Sequence, residues 1–285
     1  MDALQEKQLN GVSLCLAVAC YIPPSQKPHI SQTLPDQLNA RFSPARFLAR
    51  HACRRQRITM KVVNSSVLKE WYDREYSACD NGTLFGELRD EFKQFLTSLP
   101  DGPGRALELG CGDGRNLTAL ARKGYSLSGV DMVDSTIQSR RHNPWLRELD
   151  FQQTDILDYD PGSATYDVLV CSEVLHFFSQ EELRIVMPKI ISAVKPGGYI
   201  FLDLLSDLTR YFQASGEPFI WDKEAGLSTQ DSEGFFDAWL CDFDIYDFNT
   251  FFDKQSWPLS NSENLPIDPY TWQGTYVSVC ARKRN

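Results

Sequence analysis

The residues with the most evident chemistry are Glu108-Leu109-Gly110-Cys111-Gly112-Asp113-Gly114, a carboxylate near the end of an apolar run that breaks into three alternate glycines. Glycine permits both a tight turn and a close approach of backbone to ligand. Arg105 to Leu109 reads as a buried strand, and Leu117, Leu120 and Ala121 follow at helical spacing. The helix would then begin at the glycines, with its free N–H groups turned toward a nucleotide-type ligand. A dinucleotide fingerprint needs a glycine at the sixth position of the loop, where this chain has Arg115. Farther along, Glu173, His176 and Asp203 stand at or just beyond the ends of two apolar runs, where a general base could reach a reacting proton.

The pattern Glu-x-Gly-x-Gly-x-Gly resembles motif I of the class I S-adenosylmethionine-dependent methyltransferases. Three later features strengthen that resemblance. Asp131 closes the run Ser126 to Val130, where the family's second strand carries an acid for the ribose hydroxyls. Thr154-Asp155-Ile156 is similar to the third-strand acid motif that meets the adenine amino group. Val194-Lys195-Pro196-Gly197-Gly198 precedes Tyr199 to Leu204 as the family's fifth-strand entry does. Within the family, the chain loosely resembles the tellurite-resistance type of small-molecule methyltransferase. The resemblance implies S-adenosylmethionine as cofactor, bound by Tyr72, Tyr76, Glu108, Gly110, Cys111, Gly112, Gly114, Asn116, Asp131, Met132, Asp155, Ile156, Cys171 and Ser172. It implies no metal.

The elements that must position these residues alternate as in a doubly wound α/β, Rossmann-like sheet. Strands are predicted near 105–109, 126–130, 149–154, 166–171 and 198–204, with helices between. Two further stretches, Phe243 to Phe252 and Tyr270 to Ala281, alternate with a two-residue period. They match the antiparallel sixth and seventh strands of the family, whose seven-stranded order is 3-2-1-4-5-7-6 with the last strand antiparallel. Before the sheet, Leu68, Trp71, Tyr72 and Tyr76, then Leu84, Leu88, Phe92, Phe95 and Leu96, are spaced for two amphipathic helices. In the resembling enzymes the first of these closes over the cofactor. That role falls to Trp71, Tyr72 or Tyr76, unless the stripe is ordinary core.

Charge divides the chain near residue 60. Residues 1–59 hold eight Lys/Arg against three Asp/Glu, a balance of +5, and the remaining 21 against 35 give −14 for 60–285. The arginine-rich, acid-poor first segment reads as a poorly ordered extension or a targeting peptide. The enzyme itself reads as 60–285, cytoplasmic, or mitochondrial or plastid if 1–59 is a transit peptide. The acidic body lacks the basic surface that nucleic-acid binding requires, and no apolar run reaches the roughly 18 residues of a membrane span. Eight dispersed cysteines without a Cys-x-x-Cys pair read as reduced thiols. A monomer or homodimer with a small-molecule substrate is expected.

Substrate choice should lie in whatever overhangs the carboxyl ends of the strands. Residues 206–240 are too long for a plain connection and read as a lid insertion after strand 5. Between Tyr211 and Tyr276 the chain places 16 of its 34 aromatic residues and 12 Asp/Glu, with only Lys223 and Lys254 as positive residues. Trp221, Trp239 and Trp272 are the candidate substrate residues, and an acidic aromatic wall would suit a neutral or cationic acceptor. An amine or hydroxyl acceptor is favoured, with a thiol as a further option. The alternatives are an aminopropyltransferase of the polyamine-synthase kind, or a cofactor-binding partner protein without turnover.

Overall fold

Ala106 and Leu107 are both fully buried although they point to opposite faces of one strand. That burial requires helices on both sides of the sheet, as in parallel α/β folds. The computed structural model describes residues 60–79, 83–134, 142–260 and 263–285. The extension or targeting segment expected over 1–59 lies outside the described residues. In chain order the elements are β1 (Lys61–Val63), α1 (Val67–Ser77), α2 (Asp90–Ser98), β2 (Gly104–Leu109), α3 (Arg115–Arg122), β3 (Tyr125–Asp131) and β4 (Asp150–Gln153). There follow β5 (Tyr166–Cys171), α4 (Gln180–Ala193), β6 (Val194–Phe212), β7 (Pro218–Trp221), α5 (Thr229–Trp239), β8 (Phe243–Trp257) and β9 (Tyr270–Lys283).

The strands lie in the order β4-β3-β2-β5-β6-β9-β8, which is the expected 3-2-1-4-5-7-6. Pairing is parallel from β4 through β6, and β9 runs antiparallel to both β6 and β8. The sixth strand of the family order, β8, therefore shares the direction of the parallel set, and of these seven strands only β9 opposes it. One face of the sheet packs Leu107, Leu109 and Leu169 under α4 and α5, through Leu183, Val186, Ile190 and Phe236. The other packs Ala106, Val168 and Val170 under α2 and α3, through Phe92, Phe95, Leu117 and Leu120. Ser179 fixes the start of α4 with a capping box to Glu182.

The insertion at 206–240 differs from the expected lid. Its first residues continue β6 as far as Phe212, paired to β9 across a register shift between Ser206 and Thr209. Next β7 returns antiparallel to β6 and takes β1 as its parallel neighbour. Finally α5 buries Phe236 in the main core. The segment is thus built into the sheet and its core, and at the carboxyl end of β6 it helps enclose a third cluster of Trp71, Leu205, Trp221, Trp257, Tyr270, Trp272 and Tyr276. Among the described residues no helix is long and apolar enough to cross a membrane.

Candidate active site

The glycine loop is held by its neighbours at every turn. Gly110 and Cys111 both donate backbone hydrogen bonds to the carbonyl of Val130, at 2.7 and 3.0 Å. Gly110 has φ +70°, and a Cβ there would stand 2.2 Å from Val174 Cγ2. Gly112 has φ +51°, and a Cβ there would stand 2.5 Å from the hydroxyl of Tyr76. Neither position can carry a side chain without displacing the wall opposite. Asp131 accepts from the N–H of Gly112 at 2.8 Å and from that of Val133 at 2.9 Å. Burial pushes its carboxyl upward and those N–H groups oppose the rise. Glu108 is buried as well, accepting from Asn116 Nδ2 at 2.8 Å on one oxygen. Burial pushes its carboxyl up to about 8. Among the described residues the other oxygen of Glu108 and Oδ1 of Asn116 have no partner.

These groups line a cavity of about 330 Å³. Tyr72 and Tyr76 wall it from α1, their rings stacked at 6.1 Å. Asp131, Met132, Asp155, Ile156 and Ser172 line it from the ends of β3, β4 and β5. A second cavity of about 40 Å³ shares Tyr72, Phe85, Glu173 and Phe177 with the first. His176, Arg210, Trp221, Trp257, Trp272 and Tyr276 are among its other walls.

Glu173 sits where the two cavities meet, in the left-handed region at φ +62°. Such a conformation is costly for a side-chain-bearing residue and persists only where its surroundings hold it. Asp203, 1% exposed, supplies the hold: it accepts from the N–H of Glu173 at 2.5 Å and from the hydroxyl of Ser172 at 2.7 Å. Burial pushes Asp203 up to about 6, with the Arg89 charge opposing the rise. The two oxygens of Glu173 are bound by Arg89 at 2.7 Å and Arg115 at 3.3 Å. His176 is buried against Phe177, and burial pushes its imidazole down to about 3, so it is neutral at ordinary pH.

A family model described as a methyltransferase domain matches residues 81–257, more than half of the chain. The chain belongs to this family. Among its curated relatives, phosphoethanolamine N-methyltransferase 1 of Arabidopsis thaliana is 28% identical over 117 residues, covering 40% of this chain and 24% of that protein. Ubiquinone biosynthesis O-methyltransferase of Idiomarina loihiensis is 30% identical over 105 residues, covering 36% of this chain and 42% of that protein. The match spans less than half the length of these relatives. Among solved structures, TehB from Haemophilus influenzae has a TM-score of 0.51 at 15% identity, covering 76% of this chain and 67% of that one. It shares the fold.

S-adenosylmethionine is the cofactor of this methyltransferase domain, and the larger cavity fits it. Glu108 and Asn116, each with an unpartnered oxygen among the described residues, line that cavity together with Gly110 and Gly112 of the glycine loop. Two of the residues that the resemblance assigns to the cofactor stand elsewhere. Gly114 caps α3 and packs on Leu146, while Cys171 is fully buried in the core beside Leu107 and Leu109. Trp71 likewise faces Trp257 and Tyr270 in the core and lines neither cavity. Asp203 lines neither cavity and meets the site through its hydrogen bonds to Glu173 and Ser172. Of the three candidate tryptophans, Trp221 and Trp272 line the second cavity, whereas Trp239 packs on Phe235 of its own helix against the main core.

The acidic wall is also corrected, because nine of the twelve Asp/Glu between 211 and 276 are exposed and three are half-buried. Side chains that sequence reasoning did not place at the site include Arg89, Arg115 and Arg210, while Trp257, which belongs to the aromatic-rich stretch, was not among the three candidate substrate residues. The first two compensate Glu173 from positions 84 and 58 residues away in sequence, a distance no local pattern reports.

Proposed function

We propose that this methyltransferase moves the methyl group of S-adenosylmethionine to a hydroxyl or amine of a small molecule seated across the junction of the two cavities. The observation that carries the reading is the shared wall of Tyr72, Phe85, Glu173 and Phe177. S-adenosylmethionine brings a methyl group on a positive sulfur, so the transfer is an in-line displacement whose barrier falls mainly through positioning. Asp131 and Asp155 hold the nucleoside, and Glu108 compensates the cationic end. Tyr72 and Tyr76 keep water from the methionine side. Glu173 takes the proton that a hydroxyl or amine must shed, and Asp203 and Arg89 are positioning residues that hold its carboxylate at the junction.

Calorimetric titration of the full chain with S-adenosylhomocysteine tests the cofactor assignment. A screen of pooled phenols, amines and thiols for conversion of S-adenosylmethionine to S-adenosylhomocysteine tests the acceptor. Micromolar binding with turnover on the phenol or amine pool is expected. Absence of binding overturns the cofactor assignment, and turnover confined to thiols overturns the acceptor.

A further inference from the structure

Six buried side-chain nitrogen or oxygen atoms have no hydrogen-bond partner among the described residues. Their distribution is far from random. Two belong to Glu108 and Asn116 at the cofactor cavity, and three, His176 Nδ1, Trp221 Nε1 and Trp257 Nε1, belong to walls of the second cavity. The sixth is Trp71 Nε1, in the aromatic cluster behind it. His176, Trp221 and Trp257 are 6%, 2% and 4% exposed, so bulk water does not satisfy them. Buried polar atoms without partners are rare in folded proteins, and three of them on residues that line one small cavity call for an explanation that a bound ligand would supply.

The charges around that cavity decide which ligand. An aromatic box would suit a cation if its ring faces were open. Here the protein's own cations already lie over two of those rings: Arg89 lies 3.8 Å from the ring centroid of Tyr276, and Arg210 lies 5.7 Å from that of Trp221. Arg210 is 4% exposed and ion-paired with Glu224, and the carboxylate of Glu173 is held between two guanidinium groups. Among the described residues that line the cavity, the one carboxylate, Glu173, is thus already compensated and offers little to attract an ammonium. Size restricts the ligand further. About 40 Å³ is on the order of three water-sized volumes, which admits an end group while the rest of the molecule extends past Glu173 and Phe177 into the first cavity.

We propose that the second cavity anchors the methyl acceptor by a carboxylate or carbonyl oxygen, taken by the indole N–H groups of Trp221 and Trp257, and that it discriminates against a cationic end group. This rests on the methyltransferase reading above. The experiment saturates the full chain with S-adenosylhomocysteine and follows tryptophan fluorescence and heat on adding benzoate, acetophenone or benzylamine. Benzoate and acetophenone separate the carboxylate from the carbonyl. At least one of them is expected to bind about tenfold tighter than benzylamine. Trp221→Phe and Trp257→Phe, which keep the ring and delete the donor, should each weaken that probe about fivefold. Trp239→Phe should leave it unchanged. S-adenosylhomocysteine affinity, measured first in every variant, reports on folding and on the cofactor assignment independently. With that affinity intact, preference for benzylamine, binding of none of the probes, or indifference of both tryptophan variants overturns the proposal and assigns the donors to trapped water.

Discussion

The cofactor half of the site and the proposed acceptor half are built in opposite ways. The cofactor half is largely backbone: glycines that tolerate no Cβ, N–H groups gathered by Asp131, and acids at the ends of consecutive strands. The acceptor half is side chain, with rings from α1, β7, β8 and β9 and ionic pairs between residues far apart in sequence. A backbone cradle is written locally and allows few substitutions, whereas a side-chain chamber can be re-lined one residue at a time. The first suits a cofactor common to many enzymes and the second a substrate peculiar to one.

That contrast predicts where substitutions hurt. Gly110→Ala must move Val174 and hold alanine at positive φ, a cost of about 3 kcal/mol. Calorimetry should show S-adenosylhomocysteine binding reduced by roughly a hundredfold, while the fluorescence of the aromatic cluster is retained. Glu173→Gln should divide the two halves: turnover falls roughly a hundredfold, and cofactor affinity changes less than about threefold. Equal losses in both would make Glu173 a structural post and not the base.

A pH titration sharpens the comparison on the cofactor side. Glu108 titrates at about 8 without ligand, and a bound cation favours its ionised form. The free protein therefore holds a proton that the complex releases, and affinity for S-adenosylmethionine rises with pH up to that value. Linkage gives about an eightfold gain between pH 6.5 and 7.5, and Glu108→Gln should flatten it. The smallest expected effect belongs to the exposed acids of α5. Neutralising Asp231, Glu233 and Asp237 to the amides together should leave acceptor KM within about twofold, since charges facing solvent are screened. A larger change would restore the acidic wall.

Legibility in the sequence followed the same division. The glycine loop, Asp131 and Asp155 belong to short contiguous motifs, and the strand order came with the resemblance they carried. The strand extension through Phe212 was missed because the register shift between Ser206 and Thr209, with Asp207 at positive φ, breaks the two-residue period. Short β1 and β7 offered too few residues for any period. Trp221 and Trp239 look alike in composition. One lines a cavity and the other lies against the core, because one ends a strand of the cavity wall and the other ends a helix on the main core. Arg89 and Arg115 gained meaning only when folding brought them to Glu173.

The claim that the glycine loop and the acid after it form the cofactor seat is tested most directly by titrating the full chain and its Asp131→Ala variant with S-adenosylhomocysteine. Loss of the carboxylate proposed to accept the ribose hydroxyls should weaken binding by roughly 1.5–3 kcal/mol, with circular dichroism unchanged. Equal affinity in the two proteins would contradict the account.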